Sequence, residues 1–351
     1  MEQALRAVLS SRSPNRFRLV PTAILVLVAG LASSEPVLLP ATIPTQIETD
    51  GSLLGSVQVI EPDGGDPNRY TIAGNHGLLV GEDPAGAGGN LFYSFGQFDL
   101  ASTNTAVFSR ASGLGSASPG ALVVRVTNGS PSYLYGAIES EFSDTDLYFA
   151  NRAGIIVGPS GSFDLSGISD SPGSFFMSSA DRLIFEDGFF STGGGGPAFE
   201  PDIQGLDCCG GAPSAFDFDY GGAGEVLFNG GFHEWQGEGI VQIVAGNIRL
   251  IEGGALNNKG GEIHLAAVGT AAVTVPVAAA GDAHFPGAAA PNGVIELLRV
   301  PGGSGTAELS TNAGATSNGR IVLRAGHLVL DGAAIKAGGR DGSKPTIDLE
   351  A

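Results

Sequence analysis

Apolar and polar positions along this chain exchange in short runs. Tyr70-Thr71-Ile72, Gly77-Leu78-Leu79-Val80, Leu122 to Val126, Leu134 to Ile138, Leu147 to Phe149, Ile155 to Val157, Phe163 to Leu165, Phe175 to Met177 and Leu183 to Phe185 are rich in β-branched and aromatic residues. Each is closed by Gly, Ser, Asn, Asp or Pro, so the pattern predicts short strands joined by tight turns. Glu61-Pro62-Asp63-Gly64-Gly65-Asp66-Pro67-Asn68 reads as a loop. Beyond residue 35 no long stretch carries apolar residues at helical spacing. The densest aromatic run is Gly88-Gly89-Asn90-Leu91-Phe92-Tyr93-Ser94-Phe95-Gly96-Gln97-Phe98-Asp99, an apolar wall after a glycine turn.

The second half repeats itself. Val241-Gln242-Ile243-Val244-Ala245-Gly246-Asn247-Ile248-Arg249-Leu250 aligns without a gap with Ile321-Val322-Leu323-Arg324-Ala325-Gly326-His327-Leu328-Val329-Leu330. Apolar residues match at alternate positions on both sides of a shared Ala-Gly corner. Shorter echoes fall at Gly261 to Leu265, Gly293 to Leu297 and Thr346 to Leu349. Strand centres near residues 242, 249, 256 and 264 give three strands per circuit of about 22 residues, the signature of a parallel β-helix. At about 4.8 Å of rise per coil, the chain has material for roughly 12 coils. An antiparallel sandwich is the alternative; its hairpin signals, Asn128-Gly129 and Asn229-Gly230, are few. Residues 193–215, with Gly193 to Gly196, Pro197, Pro201, Cys208, Cys209 and Pro213, break the rhythm and read as a surface insertion.

Composition agrees with this picture. Of 351 residues 56 are glycine, a density that suits many turns, and 42% are apolar, enough for a core. Lys plus Arg number 17 against 36 Asp plus Glu, for a net charge of −19, which repels nucleic acid and anionic lipid. The few cations are concentrated at the start: Arg6, Arg12, Arg16 and Arg18 precede an apolar run from Leu19 to Ala32 and then Ser33-Ser34-Glu35-Pro36. This is the layout of a secretory leader over residues 1–34, cleaved after Ala32-Ser33-Ser34; the apolar run of about 14 residues is too short for a membrane span. The adjacent Cys208 and Cys209 cannot bridge distant segments, and bonding to each other requires a strained turn.

Catalytic signatures are absent. There is no G-x-S-x-G, H-E-x-x-H or phosphate loop, and His76, His233, His264, His284 and His327 lack ligand spacing. The sequence therefore offers no catalytic, cofactor or metal residues. Asp144 with Asp146, and Asp217 with Asp219, lie two apart on strand-like stretches, and such pairs serve β-helix enzymes that act on acidic polysaccharide. In a chain so acidic, solvated carboxylates are the plainer reading.

Taken in order, several blocks resemble the filamentous haemagglutinin family, the two-partner secretion exoproteins with a haemagglutination activity domain. Gly51-Ser52-Leu53 and Tyr70-Thr71-Ile72 come first, then Asn90-Leu91-Phe92-Tyr93-Ser94-Phe95 leading to Phe98, similar to the family's N-L-F-H-S-F with a further phenylalanine. Arg125-Val126-Thr127-Asn128-Gly129-Ser130-Pro131-Ser132, with Gly136 after it, is similar to R-V-T-G-G-x-x-S. Leu147 to Gly158, containing Asn151-Arg152-Ala153-Gly154, resembles L-x-x-x-N-P-N-G-I-x-F-G, with Arg152 and Ala153 replacing the family's proline and second asparagine. Ser174-Phe175-Phe176-Met177-Ser178-Ser179-Ala180-Asp181 resembles S-F-x-x-S-T-A-x.

The resemblance implies an all-β, right-handed parallel β-helix with small accessory β elements at its N-terminus. The resemblance further implies export through the periplasm by a partner outer-membrane β-barrel with docking domains and a non-enzymatic, adhesin-type scaffold role outside, with a host or neighbouring cell surface as partner. Asn90, Leu91, Phe92, Ser94, Phe95, Phe98, Arg125, Asn151, Gly154, Gly158, Ser174 and Phe175 are the implied recognition or structural residues. The expected division is a leader at 1–34, the secretion domain at 35–192, the insertion at 193–215 and a β-helix extension at 216–351. Family members are generally longer, and the chain stops inside what reads as another coil, as a truncated or unusually short member would.

Overall fold

The computed structural model describes residues 39–81, 88–111, 119–167, 173–200, 208–219, 223–236, 239–279, 291–299, 305–311, 319–338 and 346–350, and the backbone alone of Leu25–Val28. The rest of the leader and residues 201–207 of the 193–215 stretch lie outside the described residues. Described residues form strands with one 3-10 turn at Gly74–His76. No helix among them is long and apolar enough to cross a membrane.

Three parallel ladders organise the chain. The first stacks Asn90–Asp99, Ala121–Val126, Asp146–Asn151, Phe175–Ser178, Ile240–Ala245, Glu262–Ala267, Arg320–Ala325 and Thr346–Glu350 in that order. The second stacks Ser132–Leu134, Ile155–Val157, Glu225–Asn229, Asn247–Ile251 and Val294–Leu298, ending on the start of His327–Ala337. The third runs Asp66–Ala73, Thr105–Ser109, Ala137–Ser140 and Ser162–Asp164. It resumes at Phe232–Gln236, Ala255–Lys259, Glu308–Thr311 and the end of His327–Ala337. Within the described residues the chain visits the three ladders in turn, and these ladders are parallel, unlike those of a sandwich.

Register explains why the pattern was periodic. On the inner side of the first ladder Leu91, Leu122, Leu147, Phe175, Val241, Ile263, Ile321 and Ile347 stack in one row. Tyr93, Val124, Phe149, Met177, Ile243, Leu265, Leu323 and Leu349 stack in the next. These rows belong to one continuous core, which Phe163, Trp235 and Phe228 complete from the other ladders. Alternate positions face the opposite way, because side chains of a strand point to opposite sides.

The outward side of the first ladder is also covered, and here the structure departs from the sequence reading. A five-stranded antiparallel sheet, in the order Phe199–Glu200, Gly188–Ser191, Arg182–Phe185, Ala215–Phe218, Val273–Pro276, lies over it. It seals a second core of Phe92, Val123, Tyr148, Phe176, Phe185, Phe190, Phe216 and Val275 among others. Leu183 to Phe185 therefore belongs to this cover, and the accessory β structure is not confined to the N-terminus. The stretch read as a surface insertion has Ala198, Cys208, Cys209 and Pro213 buried. Asp63-Gly64-Gly65-Asp66 is a hairpin turn between Pro62–Asp63 and Asp66–Ala73, where a loop was expected. These excursions consume chain, so the first ladder has eight parallel strands in the described residues instead of one for each of the expected coils.

Candidate recognition site

The strand Asn90–Asp99 is buried on both sides because both cores need it. Leu91, Tyr93, Phe95 and Phe98 point inward, where Phe95 and Phe98 rings meet edge to face at 5.1 Å and Phe98 meets Phe149 at 5.2 Å. Phe92 points outward under the cover sheet, with ring centroids 4.9 Å from Phe190, 5.0 Å from Phe199 and 5.7 Å from Phe185. The aromatic wall thus serves two cores at once.

Ser94, on the same outward side, opens onto a buried polar knot. Arg125, 1% exposed, lies in register beside it, and its Nε donates to Ser94 Oγ at 2.6 Å. One Nη donates to Ser52 Oγ at 2.8 Å and lies 3.7 Å from Asp50 Oδ2; the other donates to the carbonyl of Ser191 in the cover sheet. Asp50 in turn accepts from the hydroxyls of Ser52 at 2.6 Å, Ser94 at 2.7 Å and Thr127 at 3.0 Å. The Arg125 guanidinium stacks 4.8 Å over the Phe190 ring. Burial pulls the Arg125 pKa down to about 10 although Asp50 pushes it up. For Asp50, burial pushes upward, but the hydrogen bonds from Ser52 and Ser94 and the Arg125 charge together hold it below its usual value. Residues from blocks far apart in sequence therefore meet at one charge-assisted centre.

The Asn151 turn is built on the same logic. Asn151 is 1% exposed; its Nδ2 donates to Ser130 O and Ser132 Oγ, both at 2.9 Å, and its Oδ1 accepts from Ala153 N at 2.9 Å. The side chain staples the neighbouring turn and closes its own. Gly154 has φ +115, and a Cβ there would sit 2.7 Å from Glu225 O, so only glycine suits it. A Cβ on Gly158 would sit 2.5 Å from the Tyr135 ring. Arg152, standing where the family has proline, pairs with Asp181 at 2.6 Å. Ser174 N donates to Asp146 Oδ1 at 2.7 Å and its hydroxyl accepts from Ile240 N, while Phe175 stacks on Trp235 and meets Phe163 at a tilt.

The acidic pairs are structural in these surroundings. Asp144 sits in a turn at φ +53 while Asp146 caps Ser174; burial raises the Asp146 pKa against the Ser174 hydrogen bonds. Arg182 holds both Asp217 and Asp219, and Thr274 Oγ1 donates to Asp217 at 2.7 Å. His233 is buried with Nδ1 2.6 Å from Gly161 O and Nε2 3.0 Å from Gly230 O, bridging the break in the third ladder. Asp50, Ser191 and the cover sheet were missed by sequence reasoning. The available signal was the turn-forming run Glu186-Asp187-Gly188, in which Glu186 and Asp187 join the paired Phe185 and Gly188 as a two-residue hairpin loop.

The model of the TPS secretion domain family matches residues 58–343. The chain belongs to the TPS secretion domain family. Proteins with this domain are exported ones of the two-partner secretion type, and the family is not one of enzymes. Among solved structures, the TPS chain is similar to the HMW1 secretion domain from Haemophilus influenzae, with 15% identity and a TM-score of 0.37. That likeness covers 71% of this chain and 60% of the other, so the match spans about three-fifths of that structure. No curated protein matches the sequence.

Proposed function

We propose that this TPS domain protein is the passenger of a two-partner pair. In this reading residues 1–34 lead it into the periplasm and are removed. Residues 35–192 are then recognised by the docking domains of an outer-membrane β-barrel, the 193–215 stretch reinforces the fold, and residues 216–351 extend a rod that serves outside as an adhesin-type scaffold. The family match over residues 58–343 carries the reading. The three ladders are read as the faces of a right-handed parallel β-helix, three strands per coil, since parallel crossovers are right-handed in about 98% of cases.

The burial of the motif residues sharpens the export step. Asn90, Leu91, Phe92, Ser94, Phe95, Phe98, Arg125, Asn151, Gly154, Gly158 and Phe175 are all buried, and Ser174 is half-buried, in the folded chain. A transporter meeting the finished rod could not read them, so recognition of these side chains belongs to the unfolded chain, and folding then follows emergence. Co-expression with and without a cognate outer-membrane barrel tests the reading: the chain should reach the medium only with the barrel, and release without it would refute two-partner export. Deleting residues 88–99 should leave the protein in the periplasm; normal export of that deletion would remove the strand from the signal.

A further inference from the structure

The amide of Asn90, the first residue of the aromatic strand, is held by a loop more than a hundred positions away. Its Nδ2 donates to the carbonyl of Cys209 at 2.8 Å and to that of Gly211 at 2.6 Å. The loop is packed closely: Cys208 and Cys209 are 3% and 0% exposed and join the outer core with Val80, Phe92 and Phe185. A Cβ on Gly81 would lie 2.1 Å from Gly210 Cα, so two backbones cross here in contact. Cys209 has φ +68, which non-glycine residues rarely adopt, and its N–H donates to Asp187 Oδ1 at 2.8 Å. The two sulfurs are bonded to each other.

We propose that Cys208 and Cys209 are an oxidation site whose bonded form shapes the carbonyl cradle for Asn90, and that the bond is made before this loop docks. Bonding the adjacent residues restricts the loop while it is still free, leaving less conformational freedom to lose when it closes on Asn90. The oxidant is the disulfide of a thiol–disulfide oxidoreductase. One cysteine thiolate attacks a sulfur of that disulfide and expels its other sulfur as thiolate. The second cysteine thiolate then attacks the mixed disulfide, closing the Cys208–Cys209 bond. Two electrons pass to the oxidoreductase, which leaves as a dithiol carrying the two protons the cysteines gave up. Burial of both sulfurs in the docked loop bars a protein-sized oxidant, which places the step on the unfolded chain.

Four measurements on the full chain without its leader test this. Denaturation without reductant in the presence of an alkylating agent should add no label to the cysteines, and a chain that takes two labels overturns the proposal. Bound zinc accompanied by two titratable thiols overturns it in favour of a metal site, since the Asp187, Cys208 and Cys209 ligand atoms lie within 4.8 Å of one another. A water-soluble phosphine should reduce the bond at least about tenfold more slowly in the folded chain than in urea; equal rates overturn the order of events. Asn90→Ala should speed amide exchange at Leu91–Tyr93 by about tenfold in the parent and by less than about twofold in Cys208→Ser/Cys209→Ser. Equal effects in both backgrounds show that the bond does not build the cradle. The first three measurements use the parent chain, so failure of the serine variant to fold leaves the proposal testable.

Discussion

At the scale of single residues, Arg125 is the side chain on which most others depend. Its guanidinium has left water for a site where Ser94, Ser52 and Ser191 take its hydrogens and Asp50 balances its charge from 3.7 Å, so removing either charge strands the other. Arg125→Met is expected to cost about 3–5 kcal/mol in urea unfolding, and the double change with Asp50→Asn less than the sum of the singles. At the neighbouring turn, Asn151→Ala should cost about 1–3 kcal/mol, because three hydrogen bonds lose their partner in a buried setting. Gly154→Ala should cost more than an ordinary exposed glycine change, since both φ and the Glu225 carbonyl oppose a Cβ. Arg125 and Asn151 stand in the ordered blocks of the sequence. The identity of Asp50 as counterion was not legible there, because the pairing spans strands that meet only after folding.

At the scale of elements, the outward row of the first ladder shows how a strand can have two buried sides. Phe92, Val123, Tyr148 and Phe176 follow one another in register, Tyr148 and Phe176 stack at 4.2 Å, and Gln242 continues the row. Gln242 ties the row to the edge of the cover, donating to Pro276 O at 2.9 Å and accepting from Ala278 N at 2.8 Å. Phe92→Ala is expected to cost about 3–5 kcal/mol and to make the 182–200 hairpin a new site of limited proteolysis. Phe95→Ala, at similar cost, should leave that hairpin protected, because Phe95 faces the inner core. A digest that treats the two variants alike would show that the cover does not rest on Phe92.

Across the whole molecule, acid and folding rate are the informative variables. Burial holds His233 below its usual 6.5, outweighing the upward pull of the Gly161 and Gly230 carbonyls. His76 is also below 6.5 through burial, and its Nδ1 accepts from Ala73 N. A depressed folded pKa means the folded state binds fewer protons, so the stability is full above pH 6.5 and declines as pH falls, by at most about 1.4 kcal/mol per unit per histidine. The urea midpoint should therefore fall between pH 7 and pH 5, and His233→Gln should flatten that fall. Asp50, held below 3.8, adds a further loss in stronger acid, while the raised Asp146 acts in the opposite sense. The single tryptophan, Trp235, stacks on both Phe163 and Phe175 in the inner core, which makes its fluorescence a report on ladder closure. Refolding followed this way should take far longer than milliseconds, because parallel strands pair over long separations. Full recovery within milliseconds would remove the basis for delayed folding in the periplasm.

The sequence by itself determined the short strands, the acidic and glycine-rich character, the alternation that fills the inner core, and the ordered blocks of the family. Those are properties of local pattern, and stacking in register copies the same local pattern from strand to strand, as Val241 on Ile263 on Ile321 shows. Only the tertiary structure decided that Asn90–Asp99 is buried on both sides, that Arg182–Phe185, Gly188–Ser191, Phe199–Glu200, Ala215–Phe218 and Val273–Pro276 form its cover, and that Asp50 and Arg125 share one buried centre. Each of these depends on partners brought together across long stretches of chain, and alternation along a strand specifies which residues turn outward without specifying what will meet them there.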